Sequence, residues 1–242
     1  MWTAAALSRE AHWRHGQVWR VVEAQHRAST RRITRTLADQ QRLEELLEDT
    51  KPPFPPAARH LHYLLKTPFR YRPPKPHGSR FRPPNAPWGV FYGSEERRTG
   101  LAEFAYHRLR FFLRSRGTRT PRPEERLTVF QAGYRARNVL DLTRPPLDAD
   151  RVKWTDPASY AATQELAVTA REAGIAVLRS ESARDPERGA NLSVFDPAVF
   201  TGREPTVMES WNLHLGQVQA VATRALAGED EYLVFEREAF GL

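Results

Sequence analysis

Apolar side chains recur at helical spacing early in the chain. Ile33 with Leu37 and Leu43 with Leu47 stand four apart, and Leu46 widens the stripe. On this spacing residues 1–50 read as helical, stopped by Pro52 and Pro53. From 51 to 87 the periodicity breaks down, because KPPFPP, RYRPPKP and FRPPNAP carry most of the prolines and favour extended or turn backbone over long helices. Residues 88–92 (WGVFY) form a short aromatic and β-branched run, a strand signal. From 95 to about Arg116, Leu101, Phe104, Ala105 and Phe112 return to helical spacing, with Gly117 closing the helix.

Beyond a second proline-rich link, 127–132 (LTVFQA) and 138–142 (NVLDL) read as two strands separated by a turn. Asp156 as N-cap, Pro157 at the first helical position and Gly174 at the end bracket a helix over 158–173. Residues 175–180 (IAVLRS), 191–195 (NLSVF) and 232–236 (YLVFE) are strand-like. Strands and helices interleave without regular βαβ spacing, which predicts an α+β (mixed α/β) fold with a central β-sheet flanked by helices. The length of 242 residues suits one large domain, read as residues 61–242, with a helical extension over 1–60 packed on it.

Charge sharpens this picture. The 37 basic and 29 acidic residues give +8 overall, yet the first 122 residues hold 24 basic against 10 acidic and the rest 13 against 19, so the two halves should attract each other. Of the 37 basic residues 33 are Arg, whose planar five-donor fork grips phosphates and carboxylates bidentately. The absence of cysteine excludes disulfides, thiol catalysis and cysteine-ligated metal. There is no apolar run long enough for a membrane span and no secretory signal, so a cytoplasmic protein is expected.

The glycine-rich nucleotide-binding, esterase and zinc-protease signatures are absent. His60 and His62 form an H-x-H pair without a matching carboxylate cluster, so no metal is expected. The chemistry concentrates in residues 68–109. There Arg70, Arg72, Arg80 and Arg82 stand beside Phe69, Tyr71, Phe81 and Tyr92, ahead of a helix carrying Glu103. Forks for a pyrophosphate, aromatic faces for a base and a carboxylate for a ribose would together suit a nucleotide. Spacing alone favours a plainer account, an Arg-rich proline loop beside a solvated helix face.

Motif resemblance shifts that balance. Gly78-Ser79-Arg80-Phe81, Tyr92 ending VFY, Thr99 to Glu103 as T-x-x-x-E, and Ser182-Ala183-Arg184 followed by NLSVF resemble, in order, the motifs of the RES domain, the toxin half of RES–Xre toxin–antitoxin pairs. Arg70 and Tyr71 look like the family's earlier Arg-Tyr pair, and the likeness runs from about Phe69 to Phe195. Arg82 follows Arg80 by two and would share its face on a strand, so either could be the main clamp; the Gly-x-Arg-Phe context favours Arg80. Ser180 competes with Ser182, and Ala183-Arg184 favours the latter.

The resemblance implies an ADP-ribosyltransferase-like fold and an enzyme that consumes NAD+ by cleaving the nicotinamide–ribose bond. Nicotinamide leaves, and the ADP-ribosyl group passes to water or phosphate (glycohydrolase or phosphorylase) or to a protein (ADP-ribosyltransferase). It implies Glu103 as the carboxylate that stabilises an oxocarbenium-like transition state. Arg80, with Arg70 and Arg82, would clamp the pyrophosphate, Tyr71 and Tyr92 would line the nicotinamide or ribose side, and Ser182 would bond a ribose or phosphate oxygen. The partners implied are NAD+, an Xre-like antitoxin and a protein target if ADP-ribose is transferred; nucleic acid would be met only through the antitoxin, and a homo-oligomer stays open. Two other classes remain: a basic nucleic-acid-binding module, whose affinity would fall steeply with salt, and a ribonuclease toxin using His and Arg.

Overall fold

The computed structural model describes residues 2–24, 34–73, 75–115, 117–118, 121, 124–225 and 231–242. Its elements run α1 (Ala4–Glu10), β1 (His12–Glu23), α2 (Leu37–Asp49), α3 (Tyr63–Arg70), β2 (Phe91–Ser94), α4 (Arg97–Arg114), β3 (Glu125–Asp141), α5 (Arg151–Trp154), α6 (Ala161–Glu172), β4 (Val177–Glu181), β5 (Ala190–Val194), β6 (Val207–Leu215), β7 (Gln219–Arg224) and β8 (Tyr232–Glu236). The class is mixed α/β around one eight-stranded sheet, as the interleaved pattern predicts.

The spine is β3. One of its edges pairs antiparallel with β1, from Leu127 opposite Glu23 to Val139 opposite His12. The other edge takes β6 antiparallel over Glu125–Gln131 and β4 in parallel over Val139–Asp141. Pairings β1–β2, β2–β5, β5–β4, β4–β3 and β3–β1 close a circuit, while β6, β7 and β8 extend outward from β3.

Helices cover this sheet with their apolar stripes. Leu101, Ala105 and Leu109 of α4 pack against Leu127, Val129, Trp211 and Leu213. Leu65 and Phe69 of α3 meet Phe91, Phe130 and Phe200, with Phe91 and Phe200 edge-to-face at 5.1 Å. Leu166, Ala167 and Ala170 of α6 meet Leu140, Leu178 and Phe195. Burying such side chains is worth about 1.5–3 kcal/mol each, which makes these three contacts the main source of cohesion. Charge complementarity follows the sequence: Arg97 bridges Glu209 and Glu231, and Arg98 bridges Asp185 and Glu187, joining the basic half to the acidic half.

Three expectations need correction. Residues 12–23 are a strand of the sheet rather than helix: Trp13, His15 and Gln17 face solvent while Val18 is buried, a period of two, and Val and Trp suit a pleated surface. Among the described residues there, helix is confined to α1 and α2; Ile33 lies outside the described residues, as does Arg116 at the end of the α4 reading. Residues 127–132 and 138–141 belong to a single strand, because the alternation of buried Tyr134 and Ala136 with exposed Arg135 and Arg137 carries β3 through the expected turn. The helix expected from 158 begins at Ala161, since Asp156 spends its carboxylate on the amides of Ala158 and Ser159 in a preceding turn; Gly174 ends it at φ +72° as expected. Strands β6 and β7 were not legible from the pattern.

Candidate active site

Helix α4 and the loop after β4 meet along two rungs one helical turn apart. Thr99 Oγ1 donates to Asp185 Oδ2 at 2.9 Å, and Ser182 Oγ lies 2.5 Å from Glu103 Oε1. The spacing T-x-x-x-E puts Thr99 and Glu103 on the same helix face, so both reach the same loop. Asp185 fastens that loop: its buried carboxylate also accepts from Arg98 and from the amides of Glu187 and Gly189. A Cβ on Gly189 would stand 1.9 Å from Thr99 Oγ1, so only glycine lets the loop lie this close to the helix.

Glu103 Oε1 also accepts from Asn191 Nδ2 at 2.7 Å. Asn191 is itself oriented, because Ser94 Oγ donates to its Oδ1 at 2.6 Å. Both bonds fall on one carboxylate oxygen. Glu103 Oε2 has no hydrogen bond among the described residues and stands 3.7 Å from His107 Nε2, one turn along α4.

The arginines diverge at a tight turn. Ser79 and Arg82 exchange backbone hydrogen bonds, and Gly78, at φ +70°, sits where a Cβ would meet the Arg82 carbonyl at 2.3 Å. The Tyr92 hydroxyl braces this turn, 2.8 Å from Ser79 Oγ and accepting from the Phe81 amide; burial raises its pKa. Residues 79–82 are therefore not a strand, and Arg80 and Arg82 do not share a face. Arg80 lines a cavity of about 410 Å³ together with Glu103, Tyr92, His107, Tyr160 and Arg184, whereas Arg82 lines a second cavity of about 290 Å³.

In the larger cavity, the Arg80 guanidinium stacks 4.8 Å from the Tyr160 ring centroid and donates to the Trp154 carbonyl, its one hydrogen bond among the described residues. Burial pulls its pKa below the usual value, and Arg184 acts in the same direction while Tyr160 and Glu103 oppose. Arg184 is buried, stacks on Tyr106 and donates to the Pro157 carbonyl. Desolvation lowers the His107 pKa; Arg184, Arg110 and Arg80 lower it further and Glu103 opposes. The cavity thus combines one carboxylate, Glu103, with three guanidiniums, those of Arg20, Arg80 and Arg184.

Among the residues singled out in the sequence, Arg80, Tyr92 and Glu103 share this cavity. Ser182 is buried behind it, its hydroxyl already occupied by Glu103 and the amides of Arg184 and Asp185; Ser180, the competing serine, lines the cavity wall. The expectation that Ser182 faces a ribose or phosphate oxygen is therefore corrected to a contact with the carboxylate. Tyr71 and Arg82 belong to the second cavity. Arg70 lines neither: it is held by Glu48, the Pro52 carbonyl and the Phe54 ring, because its place at the end of α3 turns it toward α2.

Sequence reasoning missed Arg20, Asn191, Arg184 and His107 as wall residues. Arg20 had a readable signal, a lone charge inside the apolar run VWRVV. It donates to the Tyr92 carbonyl and lies between the two cavities, and burial lowers its pKa to about 10. His62 caps α3 through its Nδ1, and no group of three or more His, Asp or Glu among the described residues could hold a metal ion. Nor is any helix there long and apolar enough to cross a membrane.

No curated protein matches the chain. Among solved structures it is similar to one from M. tuberculosis, the crystal structure of the MbcT–MbcA toxin–antitoxin complex, with a TM-score of 0.47 and 12% identity over 86% of this chain and 91% of that one. The family model of the RES domain matches residues 54–216, which take in α3, the turn at Gly78, the whole of α4 and the loop that meets it. With two thirds of its length and both rungs of the α4 contact inside that match, the chain belongs to the RES domain family.

Proposed function

We propose that the protein is a RES-type toxin enzyme that consumes NAD+ by cleaving the bond between nicotinamide and ribose, and that an Xre-like antitoxin restrains it. The observation that carries this reading is the state of Glu103. One oxygen is fixed by Ser182 and Asn191, and the other has no hydrogen bond among the described residues, on the wall of a cavity that also holds Arg80 and Arg184. A volume of about 410 Å³ falls within the usual range for small-molecule sites.

Loss of nicotinamide leaves positive charge on the ribose. Glu103 stabilises that charge and holds a ribose hydroxyl, as carboxylates do in glycoside cleavage. Arg80, with unused N–H donors, neutralises the pyrophosphate and sets the scissile bond against Glu103. Tyr92 acts at one remove by bracing the turn that carries Arg80. Ser182 positions the carboxylate and is not the nucleophile, since no His–Asp relay stands beside it. Water, phosphate or a protein side chain accepts the ADP-ribose.

Incubation of the purified protein with NAD+, with and without phosphate and cell extract, tests this reading and names the acceptor. Release of nicotinamide with ADP-ribose, with ADP-ribose phosphate, or with the mass of one ADP-ribosyl group added to a protein distinguishes the three; no loss of NAD+ under any condition overturns the reading.

A further inference from the structure

The second cavity holds an unusual pair of charges. Arg82 is 9% exposed and its Nε is buried without a hydrogen-bond partner. Arg20 lines the same cavity. Between them the two guanidiniums make two side-chain hydrogen bonds, to the main-chain carbonyls of Tyr71 and Tyr92, and among the described residues neither pairs with a carboxylate. The one carboxylate on the wall, Glu23, is largely exposed and reaches Arg108 instead. Buried cations are ordinarily paired, because an unpaired one loses its hydration without compensation. The remaining wall adds Thr67 and Thr128 as hydroxyls and Tyr63 and Tyr71 as exposed aromatic residues.

We propose that this cavity is an oxyanion site, in which Arg20 and Arg82 bind a phosphate or phosphoryl group. The missing counter-charge and the orphaned Nε at a cavity wall point to the same ligand chemistry, and a planar fork with free N–H donors suits tetrahedral oxyanions. Arg20 and Tyr92 line both cavities, so an anion held here lies one side chain away from the Glu103 cavity. Two sources share this chemistry: free orthophosphate, or a phosphoryl group of the dinucleotide. The second rests on the NAD+ reading; the first does not.

The test uses the full chain, titrated at fixed ionic strength with orthophosphate alone, then with NAD+ and with nicotinamide riboside, which has no phosphate. Two variants probe the site: Arg82→Met removes the buried fork, and Thr67→Phe fills the cavity from a partly exposed helix position without altering either arginine. A tenfold or greater loss of orthophosphate affinity in both variants supports the site with free phosphate as its ligand. If orthophosphate does not bind, a tenfold loss of NAD+ affinity in both, with nicotinamide riboside unchanged, supports it with the dinucleotide as source.

Unchanged affinities in both folded variants, loss in Arg82→Met with Thr67→Phe unaffected, or a parent protein that binds neither anion overturns it. Should Arg82→Met fail to fold, Thr67→Phe decides alone. Nicotinamide release is measured separately, so a parent that binds orthophosphate but leaves NAD+ intact sinks only the catalytic reading.

Discussion

Ser182 Oγ donates its proton to Glu103 Oε1 across 2.5 Å, and its other bonds leave it no alternative. The same oxygen accepts from the amides of Arg184 and Asp185, so its one hydrogen must point at the carboxylate. The serine is thus a fixed donor that holds Glu103 in place. Ser182→Ala should cost about 1–3 kcal/mol of stability through the two amides left without an acceptor, and lower kcat for NAD+ loss more than it raises KM. Chemical denaturation and steady-state kinetics check both; a raised KM with unchanged kcat would instead make the serine a ligand-binding group.

The loop that presents Ser182 depends on Asp185. Asp185→Ala strips partners from Arg98, Thr99 and two amides, and should destabilise the fold by roughly 3 kcal/mol. Gly189→Ala should also destabilise it, by forcing a Cβ onto Thr99. Thermal unfolding measures each; a parent-like melting temperature for Gly189→Ala would mean that the loop does not lie against α4.

The arginines at 70 and 80, alike in sequence context, should behave differently. Arg80→Ala should weaken NAD+ binding at least tenfold, whereas Arg70→Ala, whose side chain faces α2 and Phe54, should bind within twofold of the parent. Equilibrium titration separates them, and equal losses would place the clamp outside the larger cavity.

His107 gives a pH signature. Its pKa is lowered in the folded chain, so folding favours the neutral ring. Its contribution to stability is fully present above the ordinary value of 6.5 and is lost as pH falls through the lower folded value. Glu103 opposes the shift, so Glu103→Gln should lower the His107 pKa further. Titration of the imidazole by NMR reads this directly; a rise in the variant would show that the two side chains do not face each other.

Much of this arrangement was legible in the chain. The apolar spacing of Leu101, Phe104, Ala105 and Phe112 located α4, and the T-x-x-x-E resemblance singled out Thr99 and Glu103, whose spacing of four puts them on one helix face. What stayed hidden depends on contacts between distant segments. Strand β1 is obscured in the sequence because the helical spacing at residues 33–47 follows closely on a segment whose own period is two. The divergence of Arg80 from Arg82 depends on the turn at Gly78 and the brace from Tyr92, and the direction of Arg70 on where α2 packs. Asn191 gave no signal, since its role exists only once β5 lies beside α4.

The most direct measurement is nicotinamide release from NAD+ by the purified parent and by Glu103→Gln. The amide oxygen of Gln can still accept from Ser182 and Asn191, so the variant should fold and bind NAD+ like the parent while release falls at least a hundredfold. Release at the parental rate by a folded Glu103→Gln would contradict the role assigned to the carboxylate.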